Sequence, residues 1–485
     1  MKILFVYSVD DIFSPGRPLR TPEQMQFGIS YISSVLKKNS HETQLVVLSR
    51  ILGKRNEVIL DKRIEEFRPG LICFTAVSTE YDFVARIADN TKAKYPRIYL
   101  LIGGHHVSLN PENVLSGSFD ALCVGEGEEP TLELVSQLEK NNTPSGIPNL
   151  WIKNGNQVEK NQPRLFFQDI DKLPFPDRGM WTEWIEEEKG ARYPMLLGRG
   201  CPFDCPYCCN HALRRLTEGR YVRFRNPDAI IMELKDFAGR FPNKKNIYLE
   251  VETIGTSNAW ALELCTKIEK LNATLEEPLS FGVNLRITPN MDLESLFRAF
   301  KRANFTFVNI GLESGSERVR RQVLKRDYSN QDVVRATKLA RKCGLKINFY
   351  TLIGIPGETL ADFKETLKVS RDCLPDKIFT SIFFPYPGTE LHSICRKRGL
   401  LKKEPDPKLE RCHAVLDLPG FSKKDIQKGF VWFDYNVYKG HRPLYKILTK
   451  MMISRFRSNY HVHRLYRRFT YSGACKLLRR VLKPD

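Results

Sequence analysis

Four cysteines fall within nine residues: Cys201, Cys205, Cys208 and Cys209. The first three make a C-x3-C-x2-C triad, Cys201-Pro-Phe-Asp-Cys205-Pro-Tyr-Cys208. Three thiolates on one short loop can hold three irons of a [4Fe–4S] cubane, leaving the fourth iron open to an outside ligand. The same loop with His211 has a feasible zinc spacing, C-x3-C-x2-C-x2-H. Spacing alone leaves both metals open. Cys209 does not fit the triad and is read as structural. The other eight cysteines (Cys73, Cys123, Cys265, Cys343, Cys373, Cys395, Cys412 and Cys475) are scattered, mostly in apolar surroundings, and read as small core residues.

The triad follows the first of six β/α units. Strands are predicted at 194–199, 247–252, 280–287, 307–313, 347–353 and 378–384, with helical segments between. Such a pattern argues for a full or partial parallel barrel, whose chemistry lies at the C-terminal ends of the strands. Polar residues and glycines stand there in order: Glu250, Glu252 and Thr253 after the second strand, then Asn284 and Arg286 after the third. Gly311-Leu-Glu313-Ser314-Gly315 ends the fourth strand, with Arg326 just beyond. Leu352-Ile-Gly354-Ile-Pro-Gly357-Glu358-Thr359 ends the fifth, and Pro385-Tyr-Pro-Gly388-Thr389 the sixth.

Residues 1–140 alternate strand and helix with a shorter period. Apolar strands are predicted at 2–8, 43–49, 71–78, 98–104 and 121–128, separated by single helices. That pattern indicates a doubly wound parallel sheet, which binds ligands beyond the carboxyl ends of its strands. The residues that could meet a large flat ligand lie there: Thr75 and Ser78, Gly103-Gly104-His105, and Gly125-Glu126-Gly127. Residues 141–190 are richer in Pro, Asn and Gly. They read as a linker containing a hairpin that turns at Asn154-Gly155.

These motifs resemble the radical S-adenosylmethionine (SAM) superfamily, in the branch with an N-terminal B12-binding domain. The resemblance covers about residues 1–400. It implies an α/β chain: a Rossmann-like B12-binding-type domain (1–140), a linker (141–190), a partial (β/α)6 barrel (191–400) and a mostly helical, basic extension (401–485). It further implies a cluster on Cys201, Cys205 and Cys208, with SAM contacts at Tyr207, Glu250, Glu252, Asn284, Arg286, Glu313, Ser314, Arg326, Gly354 and Gly357. Cobalamin contacts are implied at Thr75, Ser78, Gly103, Gly104, His105, Gly125, Glu126 and Gly127. Many cobalamin proteins carry D-x-H-x-x-G after the first strand; here Asp11-Ile-Phe13-Ser-Pro-Gly16 has Phe13 in place of the histidine, so no cobalt ligand is expected from that loop.

The implied activity is cleavage of SAM to a 5′-deoxyadenosyl radical, coupled to cobalamin-dependent methylation of an unactivated carbon or phosphorus centre. The same domain pair also supports radical cyclisation, rearrangement or oxidation without methyl transfer. An external electron donor such as flavodoxin or ferredoxin is expected, with a small-molecule or lipid-like substrate. Methylthiolation of tRNA is disfavoured, because residues 1–140 hold only Cys73 and Cys123, too few for a second cluster. An iron–sulfur protein that binds nucleic acid or senses redox state is the non-enzymatic alternative.

Composition fits this frame. The 485 residues are 42% hydrophobic and 27% charged, with a net charge of +20. No apolar run approaches the roughly 18 residues of a membrane span, no signal peptide is evident, and a cytoplasmic location is expected. The segment from Lys439 to Pro484 has thirteen Lys or Arg and no acid. A basic run fits a solvated helix face, or peripheral contact with an anionic membrane; nucleic acid is not expected as a partner.

Overall fold

The computed structural model describes residues 1–459 and Val462, apart from Asp11, Phe13, Pro15 and Lys189. Asp11 and Phe13, and the arginines beyond 460, therefore lie outside the described residues. The chain forms two compact units, one of Met1–Cys201 with Cys209–Ala229, the other of Pro202–Cys208 with the residues from Ile230 onward.

The first unit is built on β1 (Lys2–Ser8), β2 (Glu42–Leu48), β3 (Leu71–Thr75), β4 (Tyr99–Gly103), β5 (Ala121–Cys123), β6 (Leu150–Asn154) and β7 (Gln157–Lys160), in the order β2-β1-β3-β4-β5-β6-β7. The first five are parallel, β1 pairing with β2 on one side and β3 on the other. Their side chains are buried on both faces (Ile3, Leu4, Phe5 and Val6 in β1), as expected of a sheet covered by helices. Those helices are α1 (Phe27–Lys38), α2 (Arg55–Phe67), α3 (Tyr81–Lys94), α4 (His105–Leu109), α5 (Pro111–Val114) and α6 (Glu128–Glu139).

The five parallel strands are those expected of residues 1–140, and the hairpin expected at Asn154-Gly155 is β6–β7, which adds antiparallel to β5. One expectation needs correcting, because residues 141–190 are not a free linker: beyond the hairpin, Trp181 is fully buried, stacks edge-on against Tyr7 at 5.4 Å and donates from Nε1 to Ser30 Oγ at 2.8 Å. Proline-rich composition concealed this, since prolines suit an extended segment laid against a core as well as a linker. The unit also holds β8 (Tyr193–Leu196), an antiparallel pair of β9 (Gly198–Arg199) and β10 (Arg223–Phe224), and the short α7 (Asn210–Leu213). After α8 (Pro227–Arg240) the chain continues in the second unit.

There β11 (Asn246–Glu250), β12 (Ser280–Leu285), β13 (Phe305–Glu313), β14 (Lys346–Ile353) and β15 (Lys377–Ile382) are parallel neighbours in chain order. Each strand is followed by a helix: α9 (Asn258–Asn272), α10 (Leu293–Arg302), α11 (Asn330–Lys342), α12 (Leu360–Cys373) and α13 (Glu390–Lys397). Amphipathic spacing explains them; α10 buries Leu293, Leu296, Phe297 and Phe300. Ser329 and Thr359 start α11 and α12 with reciprocal capping boxes to Asp332 and Asp362. Helices α14 (Lys423–Tyr438) and α15 (Leu444–Arg457) end the described chain.

One face of this sheet carries a polar ladder. The Tyr248 hydroxyl donates to Asn284 Oδ1 at 2.6 Å, Asn309 Nδ2 donates to the Tyr248 oxygen at 3.0 Å, and Asn348 Nδ2 donates to Asn309 Oδ1 at 2.9 Å. Below it Gly282 leaves room for the Phe307 ring, which stacks on Tyr248 at 6.1 Å; a Cβ on Gly282 would lie 1.9 Å from that ring. Gly282→Val should therefore overpack the sheet and lower stability by about 1–3 kcal/mol. Denaturant unfolding of the purified variant measures this, and an unchanged midpoint would show that Phe307 is free to move.

Candidate functional site

In the first unit the ends of β3, β4 and β5 are stitched together. The Ala76 amide donates to Gly103 O at 3.0 Å, the His106 amide to Ala76 O at 3.2 Å, and the Gly125 amide to Ser108 Oγ at 3.0 Å. Gly104 has φ +103°, and a Cβ there would lie 2.7 Å from Ala76 O and 2.8 Å from Thr75 Oγ1, so only glycine fits between these two loops. Thr75, Ser78, Gly103, Gly104 and Gly125 are thus gathered along one edge of the sheet.

The two histidines divide unexpectedly. His105 is exposed, whereas His106 is buried, stacked on Tyr81 at 4.4 Å with Nδ1 3.1 Å from Ser78 Oγ. Burial pushes the His106 imidazole down to about 4, so it is neutral near pH 7. Helical phase in α4, set by the loop after β4, turns the second ring inward and leaves the predicted contact His105 at the surface.

Glu126 also needs correcting as a ligand contact. One oxygen accepts from Arg199 Nη1 at 3.0 Å, the other from Arg223 Nη1 at 2.9 Å and from the Phe167 amide at 2.8 Å. Burial alone would raise its pKa, but Arg199 and Arg223 hold the carboxyl below its usual range. Arg199 is shared with Glu128 at 2.5 Å and sits over the Tyr31 ring. Both oxygens of Glu126 are therefore committed within the protein, fastening the loop after β5 to β9 and β10. Gly127 packs beside Ile32.

In the second unit, residues 202–208 of the cysteine loop are fixed by side chains from the strand ends. Arg286, just past β12, donates from Nη1 to Cys205 Sγ at 3.0 Å and from Nη2 to Lys325 O at 3.2 Å. Its guanidinium lies flat on Phe203, 3.6 Å from the ring centroid, and its own amide is held by Thr253 Oγ1 at 2.8 Å. Arg326 donates to the Tyr207 hydroxyl at 2.7 Å and to Gly311 O at 3.1 Å, and pairs with Glu313 at 2.9 Å. Burial opposes the Arg326 charge, but Tyr207 and Glu313 keep it firmly protonated; burial likewise pushes the Tyr207 hydroxyl well above its ordinary range. The Leu391 amide, at the start of α13, donates to Pro206 O at 2.9 Å.

The remaining predicted residues are distributed as follows. Glu250 is half-buried at the end of β11, and Glu252 is exposed just beyond it. Asn284 is spent on the polar ladder. Ser314 is a correction: it is fully buried, its hydroxyl 3.4 Å from Thr366 Oγ1 and accepting from the Ser316 amide at 3.2 Å, out of reach of a ligand. Gly354 and Gly357, at φ +75° and +85°, shape the turn after β14, where Glu358 accepts from the Gly354 and Ile355 amides at 2.6 and 3.1 Å. Phe203 and the Asn309 ladder were missed. Only Asn309, a lone amide inside the apolar strand FTFVNIGLE, left a signal.

For an iron–sulfur cluster the donor set has the right chemistry: three thiols on one loop, with a guanidinium on the sulfur of Cys205. Cys205 is buried, and Cys201 and Cys208 are half-buried. No three His, Cys, Asp or Glu side chains of the described residues are gathered at metal-binding distance. His211, the histidine of the zinc alternative, is buried in α7.

Comparison with known proteins agrees with these motifs. The family described as the Radical SAM superfamily matches residues 195–369, and the B12 binding domain matches residues 22–135. The chain combines a B12-binding domain with a radical SAM domain. A relative in Pyrococcus horikoshii, the uncharacterized methyltransferase PH0819, is 27% identical over 83% of this chain and 85% of its own length. Among solved structures, the radical SAM methyltransferase TsrM of Kitasatospora setae, with cobalamin and a [4Fe–4S] cluster bound, superposes with a TM-score of 0.63 at 16% identity, covering 83% of this chain and 76% of TsrM. OxsB with aqua-cobalamin and SAM bound reaches 0.69 at 15% identity, covering 98% of this chain and 75% of OxsB. At such identity the likeness is one of fold.

Glu358 offers a test of the turn that the radical SAM domain places after β14. It is fully buried, and burial pushes its carboxyl up to about 8, although the two amides oppose the shift. A carboxyl raised in the folded state adds stability that is complete below the unfolded value of 4.5 and is lost as pH rises toward 8. Relative to Glu358→Gln, the wild type should lose stability between pH 5 and 8, read as a shrinking difference in denaturant midpoint. A constant difference across that range would mean that Glu358 titrates normally.

Proposed function

We propose that this protein is a cobalamin-dependent radical SAM methyltransferase acting on an unactivated carbon or phosphorus centre. The observation that carries the reading is the cysteine loop fastened to the strand ends, with the Arg286 guanidinium on Cys205 Sγ. The methyltransferase names of PH0819 and TsrM support the choice among radical reactions. When bound, the cluster supplies the electron, received from a donor such as flavodoxin or ferredoxin, that splits SAM into methionine and a 5′-deoxyadenosyl radical, while cobalamin carries the methyl group to be delivered.

The chain's own residues hold and orient these groups. Cys201, Cys205 and Cys208 take three irons. Arg286 donates to a thiolate and places a positive charge beside it, favouring the reduced state of whatever iron Cys205 holds. Tyr207 and Arg326 keep the loop from rotating, and Glu313 neutralises Arg326 so that no uncompensated charge is buried. Glu250 and Glu252, at the end of β11, are the carboxylates for the SAM amino group, and the Gly354–Gly357 turn offers backbone to the adenine. In the first unit, the Gly103-Gly104 and Gly125 loops give an edge without side chains where a flat macrocycle can approach, flanked by Thr75, Ser78 and His105.

Two measurements test this. With the true acceptor present, anaerobic turnover should give both S-adenosylhomocysteine and 5′-deoxyadenosine. 5′-Deoxyadenosine without S-adenosylhomocysteine would instead mark a radical reaction without methyl transfer. Independently of turnover, Arg286→Gln should keep its iron and sulfide content but be harder to reduce. At a fixed potential near the wild-type midpoint, its ratio of reduced to oxidised cluster should be lower by roughly tenfold, about 59 mV for a one-electron couple. An unchanged midpoint by EPR-monitored titration would leave Arg286 a packing residue only.

A further inference from the structure

Helix α15 has two apolar sides. Toward the body of the second unit it buries Ile447, and Lys450 ties it to Asp434 of α14 at 3.1 Å. Next to that contact Leu444, Leu448 and Met452 climb the helix at intervals of four residues, with Tyr445 and Ile453 farther round. All five are exposed, from 37% for Leu448 to 66% for Tyr445. Lys446, Arg455 and Arg457 border this row. A row of large apolar side chains on a helix that already has a buried face is costly to leave in water.

Charge and dimension select the occupant. The described helix carries Lys446, Lys450, Arg455 and Arg457 and no acid, so whatever covers the row must be compatible with positive charge beside it. Fourteen helical residues span about 21 Å, and no helix among the described residues is long and apolar enough to cross a membrane. An amphipathic helix of this kind lies in the plane of a bilayer, its apolar side chains among the acyl chains and its cations at the headgroups. Nucleic acid would satisfy the cations but has no use for Leu444, Leu448 and Met452.

We propose that the exposed face of α15 is a docking surface for an anionic lipid bilayer. The surface is independent of the cluster and of cobalamin.

The test uses the full chain with vesicles of pure phosphatidylcholine and vesicles of equal phosphatidylcholine and phosphatidylglycerol. Wild-type protein should sediment with the mixed vesicles at least tenfold more than with the neutral ones, and added salt should release it. Leu448→Glu with Met452→Glu should reduce that binding by roughly tenfold or more, since each side chain forfeits its burial. Both positions are exposed, so helical circular dichroism and thermal unfolding should match the wild type. Protein remaining in the supernatant would overturn the proposal. So would equal pelleting of the Glu variant, which would leave general basicity as the cause. A wild-type dimer that the Glu variant converts to monomer, without vesicle binding, would assign the row to a second copy of the chain and overturn it as well.

Discussion

The guanidinium of Arg326 is buried with three partners, and the chemistry of the second unit is organised around it. The loop that carries Cys205 and Cys208 has almost no secondary structure of its own, so its shape has to be imposed from outside. Arg326 does this by reaching from beyond β13 to the Tyr207 hydroxyl, while its terminal nitrogens also meet Glu313 and the Gly311 carbonyl. Removing one partner would leave a charge uncompensated at low dielectric, which costs several kcal/mol. That penalty makes the arrangement all-or-none: loop, strand end and guanidinium are in register together. Arg286 over Phe203 and the Leu391 amide on Pro206 add two anchors, one from the end of β12 and one from the start of α13. A short loop is thus held at three separated points, which rigid thiolate geometry requires.

The polar ladder explains why the strand ends are steady enough to serve as anchors. Tyr248, Asn284, Asn309 and Asn348 come from four consecutive strands and hydrogen-bond sideways across them. An apolar layer could slide by small repacking; amides with fixed donors and acceptors lose a bond if the register shifts, and the unpaired group is then buried. The ladder lies one residue pair below Glu250, Arg286 and Gly311 along the strands, so it fixes the height at which those groups emerge. Gly282 and Phe307 underneath serve the same end by packing where a second side chain would not fit.

Most of this fold was legible because parallel strands buried on both faces read as apolar runs, and because glycines and polar residues mark the ends of strands. The doubly wound order of the first unit and the five successive strands of the second follow from that periodicity. What escaped has a common cause. Contacts between residues far apart in sequence, such as Arg199 and Arg223 on Glu126, or Arg286 on Cys205, leave no local pattern. Glu126 looked like a ligand group because Gly-Glu-Gly after a strand suggests an open loop; its two arginine partners lie 73 and 97 residues away. Ser314 was misjudged for the opposite reason: the motif placed it correctly at a strand end, but alternation along the chain does not say which of two neighbours turns inward. The same ambiguity separates His105 from His106. Proline misled at 141–190, where it signalled a linker; the expected hairpin joins the sheet, and Trp181 beyond it is buried.

The two units also differ in how their strand ends are built, and under the proposed function the difference suits what each would bind. In the second unit the anchors are charged and multiply bonded, which suits a small, highly charged centre whose ligands must not drift. In the first unit the edge is built from backbone: Gly104 at φ +103° presses against Ala76 and Thr75, and amides and carbonyls of three loops bond to one another. A flat macrocycle offers broad van der Waals contact and few fixed charges, so an edge cleared of side chains gains more from close approach than from individual salt bridges. The neutral, buried His106 is consistent with that economy, because its ring packs on Tyr81 and supports Ser78 without bringing a charge to the edge. The charged residues of this region, Glu126, Glu128, Arg199 and Arg223, neutralise one another behind it, where they brace the loops and leave the edge itself to backbone.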